Sequence, residues 1–124
     1  MAYRLLIVDD DEDSRDIVAR LLELDGYQVD TAPHGSAALD LLIGRSYDVI
    51  LSDMRMPQVT GEALYRRIER GWPHLASRVV FMTAEPRSGR FQAQYGDGTV
   101  PTLTKPFTGK QLRTVIATVI ARAA

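Results

Sequence analysis

The 124 residues are enough for one domain around one core, and positions 1–124 are read as such a unit. Hydrophobic residues make up 45% and charged residues 25%, and a net charge of −1 leaves no broad basic field to attract nucleic acid directly. The absence of cysteine excludes disulfides, thiol nucleophiles and thiolate metal sites, while no apolar run approaches the ~18 residues of a membrane helix and Met1-Ala2-Tyr3-Arg4 lacks a signal-peptide pattern, so a cytoplasmic protein without direct membrane contact is expected.

Leu5-Leu6-Ile7-Val8 is a continuous apolar run, the mark of a strand buried on both faces. It stops at the acidic run Asp9 to Asp13. A helix follows with Ile17, Val18, Leu21 and Leu22 on one face and Gly26 at its C-terminal end. Gln28 to Ala32 is a more polar strand, expected near a sheet edge. After the turn at Pro33-His34-Gly35, Ala37, Ala38, Leu41 and Leu42 mark a short helix ending at Gly44. His34 and His74 have no ligand spacing and read as solvated loop residues.

The third strand runs from Asp48 to Asp53, with Val49-Ile50-Leu51 as its core, and Pro57 stands where no central strand can continue. Gly61 to Arg70 carries Ala63, Leu64 and Ile68 at helical spacing, with Gly71 and Pro73 as stop signals. Val79-Val80-Phe81-Met82 is a fourth buried strand ending at Thr83. From Glu85 to Pro101 breakers interrupt the pattern, so a weak or irregular fourth helix is expected, at most over Phe91 to Tyr95. Thr102 to Thr104 is a short fifth strand ending at Lys105-Pro106. Thr108 and Gln111 form a capping box before a helix with Leu112, Val115, Ile116, Val119 and Ile120 on one stripe. Strand and helix in alternation predict a single doubly wound, five-stranded parallel α/β sheet with all strand C-termini on one rim.

That rim gathers Asp9, Asp10, Asp53, Thr83 and Lys105 from distant parts of the chain. Two carboxylates about 4 Å apart repel by roughly 4 kcal/mol at an effective dielectric near 20, which one lysine cannot offset for three acids. A hard divalent cation can, and oxygen ligands on a rigid rim suit Mg²⁺, which commonly brings substrate phosphate with it. The expected metal set is Asp10 and Asp53, completed by the Arg55 backbone carbonyl, with Asp9 orienting a metal-bound water or pairing with Lys105. Asp53 is the expected nucleophile toward phosphorus, with Lys105 and Thr83 neutralising and hydrogen-bonding the phosphoryl oxygens.

Asp9-Asp10, Asp53-x-x-x-Pro57-x-x-x-Gly61, Met82-Thr83-Ala84 and Lys105-Pro106-Phe107 stand in order along the chain, which resembles the receiver domain of two-component response regulators over essentially its whole length. The resemblance implies a flavodoxin-like (βα)5 fold and a cis bond before Pro106. It implies that Asp53 takes phosphate, with Mg²⁺, from a phosphohistidine on a histidine kinase or histidine phosphotransfer protein. It further implies a phosphoacceptor that promotes its own phosphorylation and dephosphorylation rather than an enzyme with a diffusing substrate. The chain departs from the pattern at Thr102, where receivers usually carry an aromatic lever coupled to the hydroxyl at the Thr83 position. The side chain of Arg55, in a place that overhangs the phosphate in the family, is a candidate influence on aspartyl phosphate lifetime. With Ala121 to Ala124 directly after the last helix, a stand-alone receiver or the receiver of a hybrid histidine kinase is expected.

Two rival readings use the same residues. A phosphatase similar to the haloacid dehalogenases would use Asp9 as nucleophile with Thr83 and Lys105 in support, but leaves Asp53 without a role. An inert receiver-like interaction module would keep the fold and lose the chemistry. A calcium loop of EF-hand type fails, because Ser14 stands where glycine belongs and Arg20 where glutamate belongs.

Overall fold

In the computed structural model, which describes residues 2–56, 59–84 and 100–123, the five expected strands are β1 (Arg4–Val8), β2 (Gln28–Ala32), β3 (Val49–Asp53), β4 (Val79–Thr83) and β5 (Thr102–Thr104). Between and after them lie α1 (Glu12–Leu24), α2 (Gly35–Gly44), α3 (Gly61–Gly71), a 3-10 turn over Pro73–Arg78 and a C-terminal helix over Gly109–Ala123. The strands are all parallel in the order β2-β1-β3-β4-β5, that of a flavodoxin-like doubly wound sheet. The polar strand β2 is the edge beside β1, as its composition implied. The Lys105–Pro106 peptide is cis.

The period-two alternation of the strands divides the core into two layers. Leu6, Val8, Ile50 and Phe81 face one side and are covered by Ala38 and Leu42 of α2, Leu64, Tyr65 and Ile68 of α3, and Leu75. Leu5, Ile7, Leu51, Val80 and Met82 face the other and are covered by Val18 and Leu22 of α1 with Leu112, Ile116 and Val119 of the C-terminal helix. Burying each such side chain contributes roughly 1.5–3 kcal/mol, so the sheet interior outweighs the cost of carrying polar residues to one of its rims.

The helix ends follow local chemistry. Asp11 caps α1 by accepting from the Asp13 and Ser14 amides, and Gly26 takes a positive φ of 93° just past its end. The Thr108–Gln111 capping box forms in both directions, at 2.8 and 3.0 Å. Two expected core positions turn outward. Ile17 is 61% exposed while its neighbour Val18 is buried, because the buried stripe of α1 runs through Val18, Ala19 and Leu22 and Ile17 lies about 100° round the helix from Val18, on the side away from Ala19. Ala63 is likewise exposed, and Tyr65 takes the core position with its ring edge-on to Phe81 at 5.4 Å. His34, expected as a loop residue, caps α2 through Nδ1, which accepts from the Ala37 amide. The expectations for Pro57 and for the helix within 85–98 lie outside the described residues.

Candidate functional site

The strand order reverses direction between β1 and β3, and in open α/β sheets the crevice at the strand C-termini beside such a switch point is where ligands bind. Val8 sits opposite Ser52 in the β1–β3 register, so Asp9 and Asp53 leave the sheet side by side. Asp53 in turn pairs with Met82, and Thr83 with Thr104, which brings Thr83 and Lys105 to the same rim. The Lys105 amide donates to the Thr83 carbonyl at 2.8 Å, holding the two loop starts together.

The side chains converge as the topology requires. Lys105 Nζ lies 3.3 Å from Asp53 Oδ2 and 3.4 Å from Asp9 Oδ2. One carboxylate oxygen from each of Asp9, Asp10 and Asp53 lies within 4.8 Å of the others. Asp9 is wholly buried and Asp53 is 8% exposed, whereas Asp10 faces solvent. Asp53 Oδ1 also accepts from the Arg55 amide at 3.2 Å, and the Arg55 side chain is exposed. Thr83 ends β4 and is buried.

Burial pushes the Asp53 carboxyl above its ordinary value, against the pull of Lys105 and the Arg55 N–H, and Asp9 pushes it further up. For Lys105, burial acts to lower the value, but Asp53 and Asp9 together outweigh it and hold the ammonium above its ordinary range. Among the described residues, the two buried acids therefore share the Lys105 ammonium. Three convergent oxygen donors of this kind, with one face open to solvent at Asp10, form a donor set that suits a hard divalent cation.

Two backbone arrangements shape the site. Gly61 opens α3 directly over the end of β3, where a Cβ would collide with the Asp53 carbonyl oxygen and would approach Met54 Cα at 2.8 Å. The close crossing therefore needs glycine, and it ties α3 to the backbone of Asp53. Asp9 is held from several sides: its amide donates to the Ala32 carbonyl at 3.1 Å, and its Oδ1 accepts from the Asp11 amide at 3.0 Å. Its carbonyl accepts from Arg15 Nη1 at 3.0 Å. Sequence reasoning missed Arg15, because an arginine six residues past an acid matches no helical spacing and carries no signal.

Comparison with known proteins agrees with this geometry. The chain is 32% identical over 112 residues to the nisin biosynthesis regulatory protein NisR of Lactococcus lactis, a match covering 90% of this chain and 48% of that protein. The chain spans 24% of another curated relative, the response regulator protein FleR of Pseudomonas aeruginosa, to which it is 31% identical over 117 residues. Among solved structures, the chemotaxis response regulator CheY4 of Vibrio cholerae superposes with a TM-score of 0.83 at 29% identity, covering 96% of this chain and 99% of that one. The receiver domain of a signal transduction histidine kinase from Syntrophus aciditrophicus superposes with a TM-score of 0.86 at 27% identity, covering 98% and 92%. A sheet with the order β2-β1-β3-β4-β5, acids converging at its rim, and a match to the response regulator receiver domain over residues 5–117 together establish that the chain belongs to that family.

Proposed function

We propose that the chain is a phosphoacceptor in a two-component phosphorelay, with Asp53 receiving a phosphoryl group from a phosphohistidine. The observation that carries this reading is the contact of Lys105 Nζ with both Asp53 and Asp9 at the mouth of the sheet. A carboxylate oxygen of Asp53 attacks phosphorus, the P–N bond breaks with its electron pair returning to the imidazole, and an acyl phosphate remains on Asp53. The Lys105 ammonium and the Thr83 hydroxyl are placed in the reading to bind the phosphoryl oxygens as charge shifts onto them. Asp9 holds Lys105 in position.

The carboxylates of Asp10 and Asp53 and the backbone carbonyl of Arg55 are the groups that would hold Mg²⁺. When bound, the ion supplies positive charge against the repulsion between these acids and an incoming phosphate. The phosphodonor is a histidine kinase or a histidine phosphotransfer protein, met in the cytoplasm, and the chain acts either as a free regulator or as the receiver of a hybrid kinase. Thr102 donates its hydroxyl to the Val100 carbonyl at 3.2 Å, so the switch in this chain runs without an aromatic at that position.

The test is phosphorylation with acetyl phosphate and Mg²⁺, followed by mass spectrometry of the labelled peptide. Label on Asp53 supports the proposal. Label on Asp9 would instead support the phosphatase reading, which the complete burial of Asp9 disfavours. A chain that takes no label behaves as the inert module.

A further inference from the structure

Asp10 is the one member of the acid cluster whose carboxylate has no hydrogen bond among the described residues and faces solvent. Its direction is therefore set by the backbone on either side. That backbone is pinned at Asp9 and Asp11. Asp9 continues the β ladder through its amide, and its side chain closes a turn onto the Asp11 amide. Asp11 in turn caps α1. What remains is the plane of the Asp9–Asp10 peptide, and among the described residues one group holds it: Arg15 Nη1, which donates to the Asp9 carbonyl at 3.0 Å.

Arg15 has a more ordinary use within reach. Asp11, the N-cap of α1, and Glu12, its first residue, stand four and three residues before it, the spacing of helical ion pairs. Among the described residues Arg15 makes no ion pair with either. Its half-buried guanidinium is committed instead to a neutral carbonyl at the site. A charged donor makes a stronger bond to a carbonyl than a neutral one does, and the planar guanidinium fixes its direction.

We infer that Arg15 is a positioning residue that orients Asp10 and thereby sets the affinity of the site for Mg²⁺. This rests on the reading of Asp10 and Asp53 as metal ligands. Loss of the clamp and loss of the charge act on the metal with opposite sign. Removing a positive group beside three carboxylates should tighten cation binding if only long-range electrostatics acted. Removing the clamp should weaken it.

The experiment is a double-mutant cycle of Arg15→Met and Asp10→Asn, with Mg²⁺ affinity measured by calorimetry or amide chemical shifts and thermal unfolding recorded for each protein. Arg15→Met is expected to weaken Mg²⁺ binding by about tenfold, in the range usual for groups that orient metal ligands. It should shift the Asp10 amide resonance in metal-free protein, and Arg15→Lys should recover part of the affinity. In the Asp10→Asn background the same substitution should cost little further affinity. Unchanged or tighter binding by Arg15→Met overturns the inference, as does an equal loss in both backgrounds. Wild-type protein that takes up no Mg²⁺ overturns the metal reading itself, and the inference with it.

Discussion

On the amino-terminal side of the sheet, Asp30, midway along β2, accepts from the Tyr47 hydroxyl at 2.6 Å and from Arg45 at 3.1 Å, with Arg4 at 3.9 Å, and Asp48 accepts from the Arg4 amide and pairs with Arg78 at 3.5 Å. Three guanidinium groups there face two carboxylates. At the carboxyl-terminal end, three carboxylates converge and one ammonium is shared between the two buried ones. The same side-chain chemistry thus appears at both ends with opposite balance. The matched end joins the edge strand β2 to the segments leading into β3 and β4. The mismatched end carries an electrostatic cost that a bound cation relieves. The difference separates a side of the sheet where charges are matched from one where carboxylates are in excess.

The comparison is broken most severely by removing the ammonium that the two buried acids share. Lys105→Met should destabilise the metal-free domain by about 2–3 kcal/mol at pH 7, less than a fully buried pair would lose because Lys105 is 28% exposed. It should also abolish efficient phosphorylation of Asp53. The stability deficit should shrink as pH falls through the raised folded value of Asp53, where Lys105 loses one of its two charged partners. Because Lys105 is raised in the folded state, its contribution is fully present below 10.5 and is lost as pH rises through its higher folded value. Chemical denaturation across pH checks both limbs. At the other end, Asp30→Asn should cost about 1–2 kcal/mol, since it weakens the partners of Tyr47 and Arg45 together, and should leave phosphorylation unchanged. An Asp30→Asn protein as stable as the parent would mean that the amino-terminal charges are ornament on the surface rather than fastening.

Much of this arrangement was legible in the sequence, and its limits have physical causes. Strands β1, β3 and β4 announce themselves because a parallel sheet buries both faces, leaving unbroken runs such as Leu5 to Val8. The carboxyl-terminal rim was legible because topology sends every strand end to the same side, so Asp9, Asp53 and Lys105 needed no contact information to be brought together. The opposite rim was not, because Arg4, Asp30, Arg45 and Asp48 sit before or within strands with no motif to connect them. Ile17 was misread because its branched side chain reads as core in the sequence, whereas the small Ala19 on the other side of Val18 takes the buried place. His34 and Arg15 act through single hydrogen bonds to backbone, which composition and spacing do not reveal.

Metal addition sharpens the contrast further. Mg²⁺ at ten times its Kd should stabilise the wild-type domain by about 1.4 kcal/mol through binding linkage, and chelation should reverse the shift. The gain should persist in Asp30→Asn and largely disappear in Asp10→Asn, as followed by thermal unfolding with and without EDTA.

The smallest expected effect carries the clearest sign. In metal-free protein at pH 7, Asp53→Asn should raise stability by on the order of 1 kcal/mol while removing the proposed phosphoacceptor, the reverse of the same exchange at Asp30. The reason is linkage. Burial, opposed by Lys105 and the Arg55 amide and reinforced by Asp9, raises the Asp53 carboxyl in the folded state. A group raised in this way favours folding fully below its ordinary 3.8 and loses that contribution as pH climbs through the folded value. The stability gap between Asp53→Asn and wild type should therefore be small at pH 3, open as pH rises through the folded value, and stay level at higher pH. Mg²⁺ should narrow it again, because the cation screens the repulsion that the asparagine removes. Urea midpoints measured across that range, with and without the metal, decide the matter: a gap that fails to open with pH would mean that the ionised Asp53 costs the fold nothing.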